Sequence, residues 1–403
     1  MKMSDPSNRR AAAGGTKAGV RCSPERPRGR PYAAERVRAR AVAHGEAAGV
    51  RPGRPDGARA LFTGPSPRKE INIMSKPTPA AEIPRAPTPV LSVSPVVLPA
   101  PGRAVDLQVR VSAPVTGSEL PILLLSHGHG PSNHLSSLNG YAPLANYFAA
   151  HGFVVIQPTH LDSKTLPFRD SDHPEAPLYW RSRAEDMKRI LDQLDAIEGA
   201  VAVLAGRLDR SKVAVVGHSM GGHTASVLLG ARLRDPHDGT EVNLAEPRIK
   251  AGVLLAAPGR GGDALSELAA KKYPIFSTID FSTMTAPALV IAGDKDASPH
   301  LTVAGADWHA DPYFLSPGPK SLVTLFDAGH GLGGVSGYDV AETTDENPER
   351  VAAVQRLTWA YLRAELYPGD PAWQEAQNAL TGAASPLGRV ESKKFWARLP
   401  TVL

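Results

Sequence analysis

The feature that most constrains the fold is a short apolar strand that runs directly into a serine flanked by glycines. Residues 213–218 read Val-Ala-Val-Val-Gly-His, and the chain continues Ser219-Met220-Gly221. In a strand-to-helix turn, the pattern Gly-x-Ser-x-Gly exposes a serine hydroxyl at the tip of the turn. Only glycines at the flanking positions leave room for the bend. The sequence therefore predicts an α/β fold with Ser219 as a nucleophile, against the alternative of an ordinary glycine-rich turn.

Two later strands end where the groups that activate such a serine are needed. The buried-strand patterns at 288–292 and 321–326 are followed by Asp294 and Asp296 and by His330, respectively. The carboxyl ends of parallel strands meet at one edge of a sheet. We therefore predict His330 as the general base, with a carboxylate that fixes its tautomer. Both aspartates qualify by type, and we favour Asp296 because it lies further past its strand and can turn back toward the histidine.

The negative charge that develops on an attacked carbonyl oxygen needs hydrogen-bond donors already in place. One predicted donor is the backbone N–H of Met220, the residue after the nucleophile. The strand pattern at 121–125 is followed by the loop Ser-His-Gly-His-Gly at 126–130, and the backbone N–H of His129 is the second predicted donor. The histidines of this region have no carboxylate or thiol ligand beside them in the sequence, so we predict no zinc site from His127, His129 and His134.

Together these residues resemble the α/β-hydrolase superfamily, and within it the branch of dienelactone-hydrolase-like proteins, platelet-activating-factor acetylhydrolases, chlorophyllases and polyester hydrolases. The resemblance covers about residues 88–368, and it is carried by LLLSHGHG (123–130), AAHGFVV (149–155), RAEDMKRILDQL (183–194), GHSMGG (217–222), GDKD (293–296) and Gly-His (329–330). It implies a carboxylic ester hydrolase without a cofactor, with a triad at the matching positions Ser219, Asp296 and His330 and an oxyanion amide at His129. The chain departs from the branch in the glycine-rich, acidic stretch 331–346, which bears on the shape of the acyl pocket.

The chain divides by composition into a basic tail and a mildly acidic body. Residues 1–73 hold 16 Lys and Arg against 6 Asp and Glu, whereas residues 74–403 hold 29 against 34. The alternatives for the tail are a nucleic-acid-binding arm, an organellar transit sequence or a disordered extension from a start codon assigned too early, and we favour the last. A Pro-rich lead-in is predicted at 74–87, the catalytic domain at 88–368 and an appendage at 369–403.

Several function classes are disfavoured by the same composition. The acidic body argues against nucleic-acid binding by the catalytic domain, and no apolar run approaches the ~20 residues that span a bilayer. The single cysteine, Cys22, lies in the tail, so a disulfide within the chain is impossible and a reducing cytoplasm is the expected location.

Strands and helices alternate along the body, which is typical of a mostly parallel central sheet with helices on both faces. About 30 residues lie between Ala257 and Pro287, too few for a large lid domain. The loops at 161–180 and 258–285 are therefore the predicted substrate walls. Four aromatic residues of these loops are candidates either for the pocket or for core packing: Tyr179, Trp180, Phe276 and Phe281.

The expected function is the hydrolysis of a small or medium carboxylic ester through an acyl-enzyme, with no metal or cofactor. A serine peptidase or a thioesterase is the alternative among enzymes, since the same triad cleaves amides and thioesters. A catalytically silent scaffold used for binding is the alternative from another class. A dehalogenase or epoxide hydrolase is disfavoured, because those reactions need a carboxylate nucleophile where Ser219 stands.

Overall fold

The computed structural model describes residues 86–337 and 340–394. The basic tail predicted at 1–73 and all but the last two residues of the lead-in at 74–87 lie outside these ranges. Within the described residues the strands are β1 Val90–Leu98, β2 Leu107–Pro114, β3 Leu120–Ser126, β4 Val154–Pro158, β5 Leu208–His218, β6 Arg232–Arg234, β7 Glu241–Asn243, β8 Ile249–Leu255, β9 Ala288–Gly293, β10 Lys320–Leu325 and β11 Gly388–Lys393.

The α-helices of the same residues are α1 Ala142–Ala150, α2 Trp180–Asp192, α3 Leu194–Ala200, α4 Met220–Leu228, α5 Glu267–Lys272, α6 Asp311–Phe314, α7 Pro348–Leu366 and α8 Ala372–Thr381. In the part of the chain that the structure describes, none of them combines the length and apolarity that a bilayer crossing requires. Between Pro258 and Pro287, α5 is the one α-helix, and it has six residues. This part of the chain therefore consists of loops and short helical turns.

Nine strands form one twisted sheet in the order β1-β2-β4-β3-β5-β8-β9-β10-β11. The six strands from β4 to β10 in this order run parallel to one another. The strands β1 and β2 at one edge and β11 at the other are antiparallel to their neighbours. The remaining strands β6 and β7 form a small separate hairpin. This is the predicted mostly parallel sheet, with β5, the strand that leads into Ser219, at its centre.

Helices cover both faces of the sheet because the parallel strands are apolar on both sides. In β3, Ile122 and Leu124 belong to one hydrophobic core and Leu123 and Leu125 to the other, as the two-residue period of a strand requires. The first core is closed by α2, α3 and α4, and the second by α1, α7 and α8. Both faces of β3 and β5 are therefore packed against a hydrophobic core, and the loops at the carboxyl ends of these strands start from well-packed positions.

Two helices that the sequence pattern indicates differ from the structure in their bounds. The apolar periodicity of residues 183–197 predicts one helix. The structure has two helices here, α2 and α3, with Gln193 between them in a non-helical conformation. Residues 224–233 follow the serine turn and are predicted to continue as a helix. In the structure this helix begins at Met220, directly after the serine, and ends at Leu228. The residues that follow form β6, whose pairing with β7 outweighs a helical continuation.

The largest difference concerns the appendage predicted at 369–403. The strand β11 pairs along its whole length with β10, in a register that matches Lys320 to Lys393 and Leu325 to Gly388. The helix α8 packs on α7 and contributes Leu380 to the second core. The central sheet therefore continues past residue 368. The sequence pattern gives a weak signal here because an edge strand exposes alternate residues and has no continuous apolar run.

Candidate active site

The serine predicted as nucleophile sits in a sharp turn between β5 and α4. Ser219 has φ 55° and ψ −121°, a backbone conformation that few residues other than glycine adopt. Its N–H donates to the carbonyl of Leu255 at 2.8 Å, which ties the turn to the neighbouring strand β8. A Cβ atom at Gly217 would overlap the backbone oxygen of Gly221, and one at Gly221 would overlap that of Ser126. The two glycines of the motif are therefore required by the packing of the turn itself.

The loops after β9 and β10 bring an aspartate and a histidine together beside this turn. His330 Nδ1 lies 2.7 Å from Asp296 Oδ2, with 1% of the Asp296 side chain and 35% of the His330 side chain exposed. Burial alone would raise the pKa of Asp296, but hydrogen bonds from His309 and His330 outweigh it and hold that pKa well below its ordinary value. A neutral His330 with its Nδ1 proton on this carboxylate presents an unprotonated Nε2, as a general base requires.

Of the two candidate acids, only Asp296 contacts the histidine in the described structure. The other, Asp294, donates its backbone N–H to Leu325 and lies 4.0 Å from the ammonium of Lys295. Asp294 thus belongs to the connection between β9 and β10, and it is one-third exposed.

Ser219 and His330 line the same cavity, of about 360 Å³, at the carboxyl edge of the parallel strands. In the residues that the structure describes, no hydrogen bond joins the serine hydroxyl to the ring. Catalytic hydrogen bonds are often long in the absence of substrate. A second cavity, of about 650 Å³ between α1, α7 and α8, contains neither side chain. The smaller cavity is therefore the candidate substrate site.

Both predicted oxyanion donors border this cavity. His129 follows β3 and Met220 is the first residue of α4, and both line the cavity. The first N–H groups of a helix have no partner inside the helix. Among the described residues, we find no hydrogen-bond acceptor for the backbone N–H of His129 or Met220. The two amides are thus free to bind an oxygen atom of a ligand.

A chain of hydrogen bonds that the sequence analysis missed fixes the loop before His129. The N–H of Gly128 donates to Tyr141 Oη at 2.9 Å, and Tyr141 Oη donates to His218 Nδ1 at 2.8 Å. The other nitrogen of His218 donates to the backbone carbonyl of His330 at 2.8 Å. Burial, helped by the neighbouring His330, lowers the pKa of His218 to about 3, so this ring is neutral and has one donor and one acceptor. The chain connects the oxyanion loop to the loop of the base.

A buried arginine fixes the same loop from the other side. The guanidinium of Arg183 contacts Asp162 and the backbone carbonyl of His127, and its Nε donates to Thr224 at 3.0 Å. Asp162 in turn contacts His129 Nδ1 at 2.9 Å. Burial alone would raise the pKa of Asp162, but Arg183 and His129 hold it well below its ordinary value. An ion pair without solvent exposure therefore orients His129.

A second serine, histidine and aspartate lie in contact behind this loop. Ser126 Oγ is 3.0 Å from His160 Nε2, and His160 Nδ1 is 2.9 Å from Asp186 Oδ2. None of the three residues has solvent exposure, and none lines the cavity that contains Ser219. Asp186 also binds the guanidinium of Arg103 at 2.9 Å. Because Ser126 is closed off from solvent and from the cavity, a substrate has no access to it, and we interpret this set as a structural network.

Histidine and carboxylate groups that resemble a metal site are joined by hydrogen bonds. The potential ligand atoms of Asp296, His309 and His330 lie within 4.8 Å of one another. Their nitrogen-to-oxygen distances of 2.7 and 3.1 Å are those of hydrogen bonds. In the loop after β3, His127 Nδ1 donates to the backbone carbonyl of Gly128, and His129 Nδ1 contacts the carboxylate of Asp162. The Nδ1 atoms of the two rings therefore have different partners.

Of the four aromatic residues predicted for the pocket, one lines it. Phe276 contributes to the cavity wall, whereas Trp180 and Phe281 pack into the first hydrophobic core. Tyr179 is buried, and its hydroxyl bonds to Ser171 and to the carbonyl of Phe168. Core packing and pocket lining use the same residue types, so the sequence cannot separate them. Leu178 and Tyr273 also line the cavity and lie in the two loops predicted as substrate walls. The wall residues that lie outside those loops include His300, Leu301 and Glu342.

Comparison with known proteins finds similarity to an acetylhydrolase and to cutinases. No protein-family model matches the chain. A platelet-activating factor acetylhydrolase of Cavia porcellus is 28% identical over 155 residues, which are 30% of this chain and 34% of the relative. Cutinase 1 of Thermobifida cellulosilytica is 30% identical over 173 residues, 43% of this chain and 47% of the relative. A cutinase of Thermobifida fusca (strain YX) is 30% identical over 173 residues, 40% of its length.

The chain therefore spans less than half the length of these relatives. Together with the mostly parallel nine-stranded sheet, the similarities confirm the predicted α/β-hydrolase fold and the resemblance to the branch with acetylhydrolases and cutinases.

Proposed function

We propose that this protein is a serine hydrolase that cleaves a small or medium carboxylic ester through an acyl-enzyme. The observation that carries the proposal is the hydrogen bond between His330 and Asp296 at the cavity that Ser219 also lines, in the strained turn after the central strand. The similarity to an acetylhydrolase and to cutinases supports the ester class.

In the proposed reaction, Ser219 Oγ attacks the ester carbonyl while His330 Nε2 accepts its proton. The carboxylate of Asp296 holds the ring in the correct tautomer and stabilises the imidazolium that forms. The N–H groups of His129 and Met220 bind the oxyanion of the tetrahedral intermediate. His330 then returns the proton to the leaving alcohol. In the second half, a water molecule deprotonated by His330 attacks the acyl group, and His330 gives that proton to Ser219 Oγ as the acid is released.

The cavity favours a substrate of modest size. Its volume of about 360 Å³ is at the lower end of the range for small-molecule sites. Phe276, Leu178 and Leu301 form an apolar wall that suits an acyl chain or an aryl group. We propose no cofactor and no nucleic-acid partner, and a cytoplasmic location on the basis of the cysteine content.

The proposal is tested by replacing each of the two candidate serines. We expect Ser219→Ala to lower kcat for p-nitrophenyl butyrate by about 10⁴-fold or more, because the variant has no nucleophile. Ser126→Ala is the matched control, since it removes the serine of the buried network and should keep most of the activity. Loss of activity in Ser126→Ala with normal turnover in Ser219→Ala would contradict the assignment.

A substrate panel then separates the ester class from its alternatives. Rates on an ester, a thioester and an anilide with the same acyl group distinguish an esterase from a thioesterase or a peptidase. Absence of turnover on all three, with no labelling of Ser219 by a fluorophosphonate, would indicate a binding scaffold.

A further inference from the structure

The carboxylate that binds His330 also binds a second histidine, which does not line the cavity. His309 Nε2 is 3.1 Å from Asp296 Oδ2, the same oxygen that His330 Nδ1 contacts at 2.7 Å. The His309 side chain has no solvent exposure. The two imidazole rings are 5.5 Å apart, centroid to centroid. One carboxylate oxygen therefore lies between two imidazole rings, and only His330 faces the substrate cavity.

The partners of His309 determine its protonation. Its Nδ1 is 2.8 Å from the backbone carbonyl of Ala257, which can only accept, so Nδ1 carries a proton. Its Nε2 faces the Asp296 carboxylate, which also only accepts. The hydroxyl of Ser298 is 3.3 Å from Nε2, but its single proton is used at 2.6 Å on Asp296 Oδ1. Both nitrogens of His309 are therefore donors, which is the imidazolium form.

The other titratable groups around His309 do not replace Asp296 as its counter-ion. Asp311, at the start of α6, faces Arg260, whose N–H and guanidinium bind its two carboxylate oxygens at 2.9 and 3.3 Å. Among the residues that the structure describes, the other charged or titratable groups near the site are Asp307, His218, His300 and His330. Burial lowers the pKa values of His218 and His300, which keeps both rings neutral near pH 7. Asp296 thus carries the negative charge that His309 balances.

We propose that His309 is a positioning residue for the reaction proposed above. It is held as an imidazolium and fixes the Asp296 carboxylate. Its positive charge also weakens the stabilisation that Asp296 gives to protonated His330. This inference rests on the proposed function. Protonation of His330 would put two cations on one carboxylate, which like-charge repulsion disfavours. The attraction between Asp296 and protonated His330 is therefore weaker than it would be beside an aspartate bound to His330 alone.

The test compares the pH dependence of kcat/KM in His309→Gln with that of the wild-type protein. Glutamine still donates a hydrogen bond to Asp296 but carries no charge. We expect the acid limb of the profile to move to higher pH by about one unit. We also expect kcat to fall by about tenfold or less, with KM little changed. His237→Gln is the matched control, because His237 is exposed and lies outside the cavity.

The outcomes separate this inference from the proposed function. If the wild-type protein hydrolyses no ester, the proposed function fails. If it does, and the folded His309→Gln variant has an unmoved acid limb, only the role of His309 is wrong. Loss of wild-type activity on dialysis against EDTA would indicate a metal between these side chains and would also overturn the inference.

A second measurement does not depend on activity. Nitrogen-15 NMR of the full chain with labelled histidine, in the Ser219→Ala background, reports the protonation of each ring. We expect the signals that disappear in His309→Gln to be those of an imidazolium from pH 6 to 8. Signals of a neutral ring at pH 7 would contradict the proposal even if the variant proves unstable.

Discussion

At the scale of single residues, the turn that holds Ser219 depends on how closely two backbones approach. Gly221 lies against the carbonyl of Ser126, so the serine turn and the end of β3 are in direct contact. That contact also sets the distance between the predicted oxyanion donors, since His129 follows Ser126 by three residues. A side chain at Gly221 would push these two segments apart.

We therefore expect Gly221→Ala to lower the free energy of unfolding by about 1–3 kcal/mol or more, as forced overpacking does, and to abolish ester hydrolysis. Urea denaturation and p-nitrophenyl butyrate turnover measure the two effects. Gly199→Ala is the matched control, because Gly199 lies within α3 with open space around its Cα. This change should raise stability by about 0.5–1 kcal/mol. Equal stabilities of the two variants would contradict the packing argument.

Single residues also mark the limit of prediction from sequence. The placement of Ser219 and His330 at one cavity is predictable because each follows a recognisable strand, and Ser219 lies in a motif with a physical cause. Tyr141, His218 and His309 carry no such signal. Their partners lie far away in sequence, as in the contact of His218 with His330 across 112 residues. A contact of this kind is set by the assembled fold, so spacing along the chain does not indicate it.

At the scale of elements, one edge of the sheet is formed by β11, a strand near the end of the described chain. The strand β11 covers the edge of β10, which would otherwise present unpaired backbone groups. The helix α8 covers α7 in the second core. The parallel core strands are predictable because they are continuous apolar runs between turns, whereas β11 has a mixed pattern that only its partner explains.

A chain that ends at residue 368 should accordingly be less stable than one that ends at residue 394. The shorter chain lacks α8 and β11, and it exposes the edge of β10 and the apolar surface under α8. We expect a lower urea midpoint and a concentration-dependent increase in light scattering for the shorter chain. The two chains differ only in these elements and in the turns that join them. Coincident unfolding curves would show that the predicted boundary at 368 is the correct one.

At the scale of the whole molecule, one buried amine links stability to pH. Lys320 begins β10, is 1% exposed, and donates to three backbone carbonyls, those of Met284, Ala286 and Pro317. Burial, reinforced by the positive charge of Lys393, lowers the pKa of Lys320 to about 7. In the unfolded chain the amine has its ordinary value of about 10.4. Between these two values the unfolded state binds a proton that the folded state does not.

Stability should therefore rise with pH in this window, by up to about 1.4 kcal/mol per pH unit from this group. Below about pH 7 the amine is protonated in both states and contributes no slope. We expect the free energy of unfolding of the wild-type protein to increase relative to that of Lys320→Met as pH rises from 7 to 10. Urea titrations at four pH values measure this difference. A pH-independent difference would show that Lys320 keeps its proton in the folded state.

The central position of β5 has a consequence for how the protein fails. The turn that holds Ser219 follows β5, which pairs with β3 and β8 and is covered by a hydrophobic core on each face of the sheet. The turn therefore loses its support only when the pairing of β5 with β3 and β8 is lost. Turnover would thus report on the integrity of the whole β-sheet, and a heated or denatured sample would keep its specific activity per folded molecule until the molecules themselves are lost.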